Sequence, residues 1–155
     1  MSARAEPFVG GLRIRRPAAL DPPALALIEA KNVCTVSTHG ADGSIHARPV
    51  WVDTDGEVVL LNSVAGRVWV RNLEREPRLT CTIVNLADPY EFLEVRGRAE
   101  ARGHAAGERH IDELAKKYLD LDAYPFSSPE EPRLLFAVVP ESIVHVLPES
   151  GDLEA

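Results

Sequence analysis

The sequence LLNSVAGRVWVRNLEREPR, residues 60–78, joins a short apolar strand to an amphipathic helix, and the rest of the chain is arranged around this junction. The strand is predicted to end at Ser63, and the helix is predicted to run from Val64 to about Glu76. Ser63 is the expected N-cap, because its hydroxyl can accept a hydrogen bond from an unpaired N–H group of the first helical turn. The helix must end before Pro77, whose ring disfavours helical geometry in the preceding residue.

The start of this helix predicts an anion-binding site. Arg67 would lie one turn into the helix, beside the Ser63 cap. The unpaired N–H groups, the positive end of the helix dipole and the guanidinium would then converge on one point. Such a site suits a phosphate or a carboxylate.

The two faces of the helix leave open whether its other arginines bind anything. At 100° per residue, an apolar stripe should pack inward and an arginine row should lie on the opposite side. The stripe comprises Ala65, Val68, Trp69 and Leu73, and the row comprises Arg67, Arg71 and Arg75. An arginine row opposite an apolar stripe is usually a solvated face, so Arg67, in the first turn, is the one we expect to bind the anion.

Composition narrows the possible functions. A chain of 155 residues is expected to form one domain, and its formal net charge of -7 argues against a nucleic-acid-binding surface. The chain has no apolar run long enough to cross a membrane and no secretory signal pattern, so a cytoplasmic protein is expected. Cys34 and Cys81 lie in apolar, strand-like runs, which favours buried reduced thiols over a disulfide or a metal site.

Turn residues divide the chain into short strands and three helices. Strands are predicted over residues 33–38, 44–52, 57–61, 78–84, 90–101 and 134–147, with a bulge near Gly97. Besides the central helix, one helix is predicted after an Asp21 cap and another over residues 107–121. This order predicts a mainly β (α+β) fold, a six-stranded antiparallel closed or split barrel with peripheral helices.

The predicted boundaries give one folded unit with two tails. Residues 21–148 are expected to form the barrel domain. Residues 1–20 are expected to be a flexible arm, and residues 149–155 are expected to be a frayed acidic tail.

Several short motifs occur in an order and spacing that resemble a known family. They are the turn Asp42-Gly43, the strand residues Pro49, Val50 and Trp51, the strand end Asn62-Ser63, the helix residues Arg67, Arg71, Asn72 and Leu73, and the pair Pro77-Arg78. From about Leu25 to Leu147, the chain resembles the split-barrel proteins related to pyridoxamine 5'-phosphate oxidase. The resemblance is strongest to the branch of flavin- and deazaflavin-dependent oxidoreductases.

This resemblance implies a homodimer that binds FMN or the deazaflavin coenzyme F420 in a groove at the subunit interface. The cofactor phosphate would lie at Ser63 and Arg67, and the ring system would lie along the strand from Pro49 to Trp51. The implied cofactor-binding residues are Arg48, Pro49, Val50, Trp51, Asn62, Ser63, Arg67, Trp69, Arg71 and Asn72. The resemblance implies no metal and requires no catalytic side chain, because the cofactor carries the hydride chemistry.

Trp69 departs from the family pattern, which usually has a lysine two residues after the helix arginine. An indole offers one neutral donor where lysine offers a charge and three donors. Trp69 would therefore pack in the core or stack against a ligand. FMN, whose only anionic group is that phosphate, should lose more affinity than F420, whose acidic tail could also contact Arg71, Arg75 and Arg78.

Two functional classes are consistent with the sequence. The first is an oxidoreductase that transfers hydride between F420 or FMN and a small organic substrate. The alternative is a non-catalytic protein that stores or carries the cofactor or another flat ligand, and a barrel that has lost cofactor binding is a third possibility. His46 lies beside the presumed ring site, but a histidine in an alternating strand is more often hydrogen-bonded at the surface than catalytic.

Overall fold

A computed structural model describes residues 7–8 and 11–149 of the chain. The described part contains nine strands and three helices. In chain order they are β1 (Pro7–Phe8), β2 (Leu12–Arg15), α1 (Pro22–Glu29), β3 (Cys34–His39), β4 (Ile45–Val50), β5 (Asp53–Thr54), β6 (Val59–Val64), α2 (Val68–Arg75), β7 (Arg78–Val84), β8 (Phe92–Ala101), α3 (His104–Leu119) and β9 (Arg133–Pro148).

The mainly β (α+β) class is confirmed, but the predicted count of six strands is too low. The strands form one antiparallel sheet in the order β1-β2-β9-β8-β7-β3-β4, and β6 joins it by pairing with both β5 and β9. The additional strands are β1, β2 and β5, of which β1 and β5 contain only two residues each. Strands this short carry no periodic pattern, so the sequence could not predict them.

Strand β9 is the element on which the sheet curls. Its 16 residues pair with β2 near the C-terminal end, with β8 along most of the length and with β6 near the N-terminal end. Strand β9 thus pairs with β8 along one edge and with β6 and β2 along the other, and the sheet is curled into a half-barrel. The enclosed core is aliphatic and includes Ile28, Leu61, Ile83, Leu93 and Val95, each of which contributes about 1.5–3 kcal/mol by burial.

The predicted bulge near Gly97 is confirmed. The register between β8 and β9 shifts between Arg96 and Gly97. A Cβ atom on Gly97 would lie 2.0 Å from the carbonyl oxygen of Val139, so only glycine fits this close approach. Pro140 pairs with Gly97 at this irregularity, and β9 continues through Pro140.

The two ends of the chain differ from the predicted tails in one respect. Residues Leu12–Arg15, which fall in the predicted arm, form β2 and pair with β9. The pairing of β2 with β9 is favourable because it satisfies backbone N–H and C=O groups of both strands. Apart from Glu149, the predicted acidic tail lies outside the described residues, as do residues 1–6 and 9–10 of the arm.

A group of polar side chains, which we call the charge-paired end, joins β2, α1, β9 and the segment before β8. Arg15 forms an ion pair with Asp21 and donates from Nη1 to Nδ1 of His145 at 3.4 Å. His145 is fully buried, and its Nε2 donates to Oε2 of Glu91 at 2.8 Å. Asp21 also caps α1, as predicted, by accepting from the N–H of Ala24 at 3.2 Å. Each charged group at this end therefore has a partner.

The pKa of Asp21 reflects these contacts. Burial raises the pKa, but the hydrogen bonds from Arg15 and from the Ala24 N–H outweigh that effect, so the pKa of Asp21 lies below its ordinary value of 3.8. The carboxylate thus stabilises the folded state only while it is ionised.

Both cysteines are buried and free, as predicted. A hydrogen bond with Cys81, together with burial, raises the pKa of Cys34 well above its ordinary value. These thiols are therefore unreactive core residues. Among the described residues, no helix is both long enough and apolar enough to span a membrane.

Candidate functional site

The central junction differs from the prediction at the start of the helix. Strand β6 continues through Ser63 to Val64, because these residues pair with Leu134 and Arg133 of β9. The chain then turns at Gly66, whose φ of +90° favours glycine, and α2 begins at Val68. The N-cap is therefore Arg67 and not Ser63.

This correction changes how the predicted anion site is built. The Arg67 side chain makes no capping hydrogen bond, so the first N–H groups of α2 have no side-chain acceptor. Ser63 lies one strand residue before the turn and still faces the same cavity. Arg67, Ser63 and the start of α2 are thus brought together, although by a strand and a turn instead of a helical cap.

The cavity at this junction, which we call the arginine cavity, has a volume of about 530 Å³. Eight of the predicted cofactor-binding residues line it: Arg48, Pro49, Val50, Trp51, Asn62, Ser63, Arg67 and Trp69. The sequence did not predict the other lining residues: Val33, Val68, Ile111, Leu114, Tyr124 and Arg133. The cavity therefore joins β4, β6 and α2 to α3, the segment that follows it and the first residue of β9.

Three of the lining residues are arginines, and none is an aspartate or glutamate. No ion pair among the described residues involves Arg48, Arg67 or Arg133. Arg48 donates only to the neighbouring carbonyl of Ala47, at 2.8 Å. In a chain of net charge -7, this cavity is a local site of positive charge that suits an anion.

The flat wall of the cavity is Trp51, and two tyrosines hold it in place. The Trp51 ring stacks on Tyr118 with a centroid distance of 5.0 Å and an interplanar angle of 4°. The edge of Tyr124 meets it at 6.1 Å and 88°. Such pairs each contribute about 0.5–1.5 kcal/mol beyond area burial. Trp51 is therefore a preformed surface.

Tyr118 and Lys117 anchor this wall to the barrel. The Tyr118 hydroxyl donates to the carbonyl of Asn32 at 2.5 Å and accepts from the N–H of Val52 at 3.1 Å. Lys117 donates to the carbonyls of Ile28 and Val52, both at 2.7 Å. Burial lowers the pKa of Lys117 and raises the pKa of Tyr118 to about 12.

Asn62 has a fixed side chain in the wall of the cavity. Its Nδ2 donates to the carbonyl of Gly107 at 2.9 Å and lies 3.3 Å from Nδ1 of His110. His110 Nδ1 therefore accepts, and its Nε2 donates to Oδ2 of Asp53 at 3.2 Å. Glu113 completes a group whose potential metal-binding atoms lie within 4.8 Å of one another, but the His110–Asp53 hydrogen bond already uses two of them.

The remaining predicted site residues lie away from the cavity. Asn72 is buried and donates to Oγ1 of Thr38 at 3.1 Å, so it joins α2 to β3. Arg71 is exposed on the outer face of α2 and does not line the cavity. Their roles in cofactor binding stay predictions.

Trp69 packs in the core, which was one of its two predicted placements. Its ring meets Phe136 at a centroid distance of 5.9 Å, and the residue also lines the cavity. The predicted inward stripe was partly wrong, because Val70 is buried in place of Ala65 and Val68, which are exposed. Ala65 lies outside the helix, which starts at Val68 and not Val64, four residues later than predicted.

Two arginines that could have extended the anion site make contacts within the chain. Arg75 donates to the carbonyl of His39 at 2.5 Å, and Arg78 pairs with Glu76 at 2.9 Å. His46 is hydrogen-bonded to Ser44 at 3.2 Å, which fits the expected surface role.

Comparison with known structures shows the fold. The chain is similar to a protein described as an F420 reductase, with 24% identity over 76% of this chain and 93% of that one, at a TM-score of 0.67. It is also similar to a conserved hypothetical protein from Mycobacterium tuberculosis (19% identity, 83% and 86% coverage, TM-score 0.64). A third similar structure is an FAD-binding protein from Mesorhizobium loti (16% identity, 86% and 96% coverage, TM-score 0.62).

No curated protein matches the chain. The family model described as pyridoxamine 5'-phosphate oxidase matches residues 20–147, which run from α1 to the penultimate residue of β9 and include every residue of the arginine cavity. The predicted family is therefore confirmed: the chain belongs to the pyridoxamine 5'-phosphate oxidase family.

Proposed function

We propose that this protein is a dimeric cytoplasmic oxidoreductase that transfers hydride between bound F420 or FMN and a small organic substrate. The observation that carries the proposal is the arginine cavity, whose lining combines three arginines and no carboxylate with the ring of Trp51. A cofactor that carries a phosphate and a flat ring system needs both a cationic site and an apolar flat surface.

The residues present fit such a cofactor. A volume of about 530 Å³ lies within the range of small-molecule and cofactor sites. Arg67, Ser63 and the uncapped N–H groups of α2 would hold the phosphate. Pro49, Val50 and Trp51 would lie along the ring system, and the fixed Asn62 would border it.

When bound, the cofactor supplies the hydride chemistry, and this chain supplies orientation and electrostatics. The Tyr118 stack holds Trp51 in one orientation, which limits how a ring can lie in the cavity. Arg48 and Arg67 would offset the negative charge of the bound cofactor. Val33, Ile111 and Leu114 give the cavity an apolar part, which would limit the access of water to a bound ring.

F420 is our first choice of cofactor, and FMN is the second. Trp69 is held in the core, so it supplies no charge where the family lysine would stand. The absence of this lysine charge should lower the affinity for FMN more than the affinity for F420, because F420 has a second anionic group. Similarity to an F420 reductase supports this choice at the level of the fold.

The dimer is supported by the free edge of the sheet. Strand β4, which carries Pro49 and Val50, ends the strand order and is mostly exposed, with Ile45 at 73% exposure. An uncovered edge strand with exposed apolar residues is a common pairing surface. A second copy at this edge would also border the cavity, because β4 forms one of its walls.

The test is a fluorescence titration of the purified protein with F420 and with FMN, each at low and high salt. We expect tighter binding of F420 and an affinity that falls as salt rises, since surface charges are screened. Tighter binding of FMN would reverse the cofactor preference. Failure of both ligands to bind would refute the cofactor-dependent function.

A carrier protein is the second candidate, because it needs the same cavity without turnover. The oxidoreductase and the carrier are distinguished by adding a panel of quinones and enones to the protein loaded with reduced cofactor. An oxidoreductase should oxidise the cofactor faster than the free cofactor reacts. A carrier should leave that rate unchanged or slow it.

A further inference from the structure

The segment between α3 and β9, residues 120–132, extends the aromatic wall out of the cavity. Tyr124 lines the cavity and meets Trp51 edge-on. On its other side, Tyr124 meets Phe126 at a centroid distance of 5.6 Å and an angle of 77°. We call Trp51, Tyr124 and Phe126 the aromatic row, because the three rings form one continuous surface from inside the cavity to outside it.

The aromatic row is held by specific hydrogen bonds. The N–H of Tyr124 donates to Oδ1 of Asp112 on α3 at 2.9 Å. At the other end of the segment, the N–H of Arg133 donates to Oε1 of Glu108 on α3 at 2.9 Å. Both ends of the segment are therefore tied to α3, and the rings keep their positions relative to the cavity.

The outer end of the row is uncovered. Phe126 is 72% exposed, whereas Tyr124 is half-buried beneath it. A large aromatic side chain that is left open to solvent and joined to a ligand-sized cavity is a common feature of binding sites.

Arg133 adds a charge to this surface. Its Cζ lies 4.6 Å from the centre of the Tyr124 ring, so the guanidinium stacks on the row. It forms no ion pair with a carboxylate of the described residues. The guanidinium of Arg133 on the Tyr124 ring is thus available to an anionic ligand.

We infer that the outer part of the aromatic row, Tyr124 and Phe126 with Arg133, is the substrate subsite, and that it takes a flat conjugated molecule bearing an anionic group. The ring of the substrate packs against Phe126 and Tyr124, and its anion contacts Arg133. This inference rests on the proposed function, in which the cofactor occupies the part of the cavity between Arg67 and Trp51. The substrate then lies beside the cofactor and not in its place.

The test measures binding of 2-naphthoate by isothermal titration calorimetry, with and without saturating FMN. Cyclohexanecarboxylate is the non-planar probe and 2-naphthalenemethanol is the uncharged one. Phe126→Ala should weaken 2-naphthoate binding about three- to tenfold, the scale of an aromatic pair. Arg133→Gln should abolish the preference for 2-naphthoate over 2-naphthalenemethanol.

Leu119→Ala is the matched control, because Leu119 is a large hydrophobic residue with 42% exposure that lies outside the aromatic row. It should leave 2-naphthoate binding unchanged. Phe126 is exposed, so its variant should fold, and circular dichroism would verify this. Sedimentation of both variants shows whether Phe126 instead supports a contact between copies.

Three results would overturn the subsite. The first is that cyclohexanecarboxylate binds as tightly as 2-naphthoate, and the second is that Phe126→Ala leaves 2-naphthoate binding unchanged. The third is that 2-naphthoate no longer binds when FMN is present. If Phe126→Ala dissociates a dimer but leaves 2-naphthoate binding unchanged, the Phe126 ring belongs to an interface between copies of the chain and not to the subsite. Failure of the cofactor to bind is a separate outcome, which refutes the proposed function while the cofactor-free titration still decides the subsite.

Discussion

The charge-paired end and the arginine cavity use the same kind of residue in opposite ways. At the charge-paired end, Arg15 has a carboxylate and a ring nitrogen as partners, and His145 has both of its nitrogens satisfied. In the arginine cavity, Arg67 and Arg133 have no carboxylate partner among the described residues. The first region stabilises the fold, whereas the second leaves charge available for a ligand.

The difference teaches that the role of an arginine in this barrel depends on the partners that the fold places beside it. Arg15 and Arg67 each lie in a short basic and apolar stretch of sequence, but only Arg15 is followed, six residues later, by a carboxylate that pairs with it, Asp21. Their partners, or the lack of them, come from β9, α1 and the segment before β8. Variants should therefore affect stability in one region and affinity in the other.

The largest effect is expected from His145→Ala at the charge-paired end. The change removes a fully buried ring, and Arg15 and Glu91 each lose one of their hydrogen-bond partners. The free energy of unfolding should fall by about 2–4 kcal/mol, as measured by urea denaturation. His46→Ala, at the surface, is the control, and cofactor affinity of the folded variant should not change. A loss below about 1 kcal/mol would mean that the pairing contributes little.

Arg67→Ala should show the opposite pattern. Affinity for F420 or FMN should fall by about 1.5–3 kcal/mol, the scale of a charged hydrogen bond. The free energy of unfolding should stay within about 0.5 kcal/mol of the wild-type value. Arg109→Ala is the matched control, because Arg109 is exposed on α3 and lies outside the cavity. An unchanged cofactor titration would move the anion site away from Arg67.

Asp21→Asn should change how stability depends on pH. The folded-state pKa of Asp21 is lowered, so its contribution is complete above its ordinary value of 3.8 and is lost as the pH falls through the lowered value. The variant should lose about 0.5–1 kcal/mol at neutral pH, since Asn still caps a helix but cannot pair with Arg15. Below about pH 4 its stability should fall less steeply than that of the wild type. Parallel curves in acid would contradict the role of Asp21.

Arg71→Ala should have the smallest effect. Of the three arginines that were predicted to contact an acidic cofactor tail, Arg75 and Arg78 make contacts within the chain, and Arg71 remains. Affinity for F420 should fall by about 0.2–1 kcal/mol at low salt and by less at high salt, while FMN affinity should not change. An equal loss for both cofactors would place Arg71 near the shared part of the ligand.

Local chemistry made part of the fold predictable. The Asp21 cap and the Gly97 bulge depend on single residues with special hydrogen-bonding or steric properties, and both were predicted. Strand β7 was predicted with its observed bounds, because its alternation is regular and Pro77 precedes it. The start of α2 was wrong because residues 62–64 continue as a strand only through their pairing with β9, which lies far along the chain.

The site residues that lie within the family motifs were predictable, whereas those that come from distant parts of the chain were not. The β4 and β6 residues that line the cavity lie within the stretches that carry the family motifs. Tyr118, Tyr124 and Arg133 come from α3, the segment after it and β9, so only tertiary packing brings them to Trp51. The one sequence signal was Tyr124-Pro125-Phe126, two aromatic residues in a proline-rich segment.

The long strand β9 also determines when the fold can form. It is the last described strand in sequence, yet it supplies the partners of β2, β6 and β8. A chain that is synthesised from its N-terminus can form the β3–β4 hairpin and the β7–β8 pairing early, but β6 can join the sheet only after residues 133–138 have been made. Such non-local pairing slows folding. The arginine cavity, which needs both β6 and Arg133, is therefore among the last features of the barrel to form.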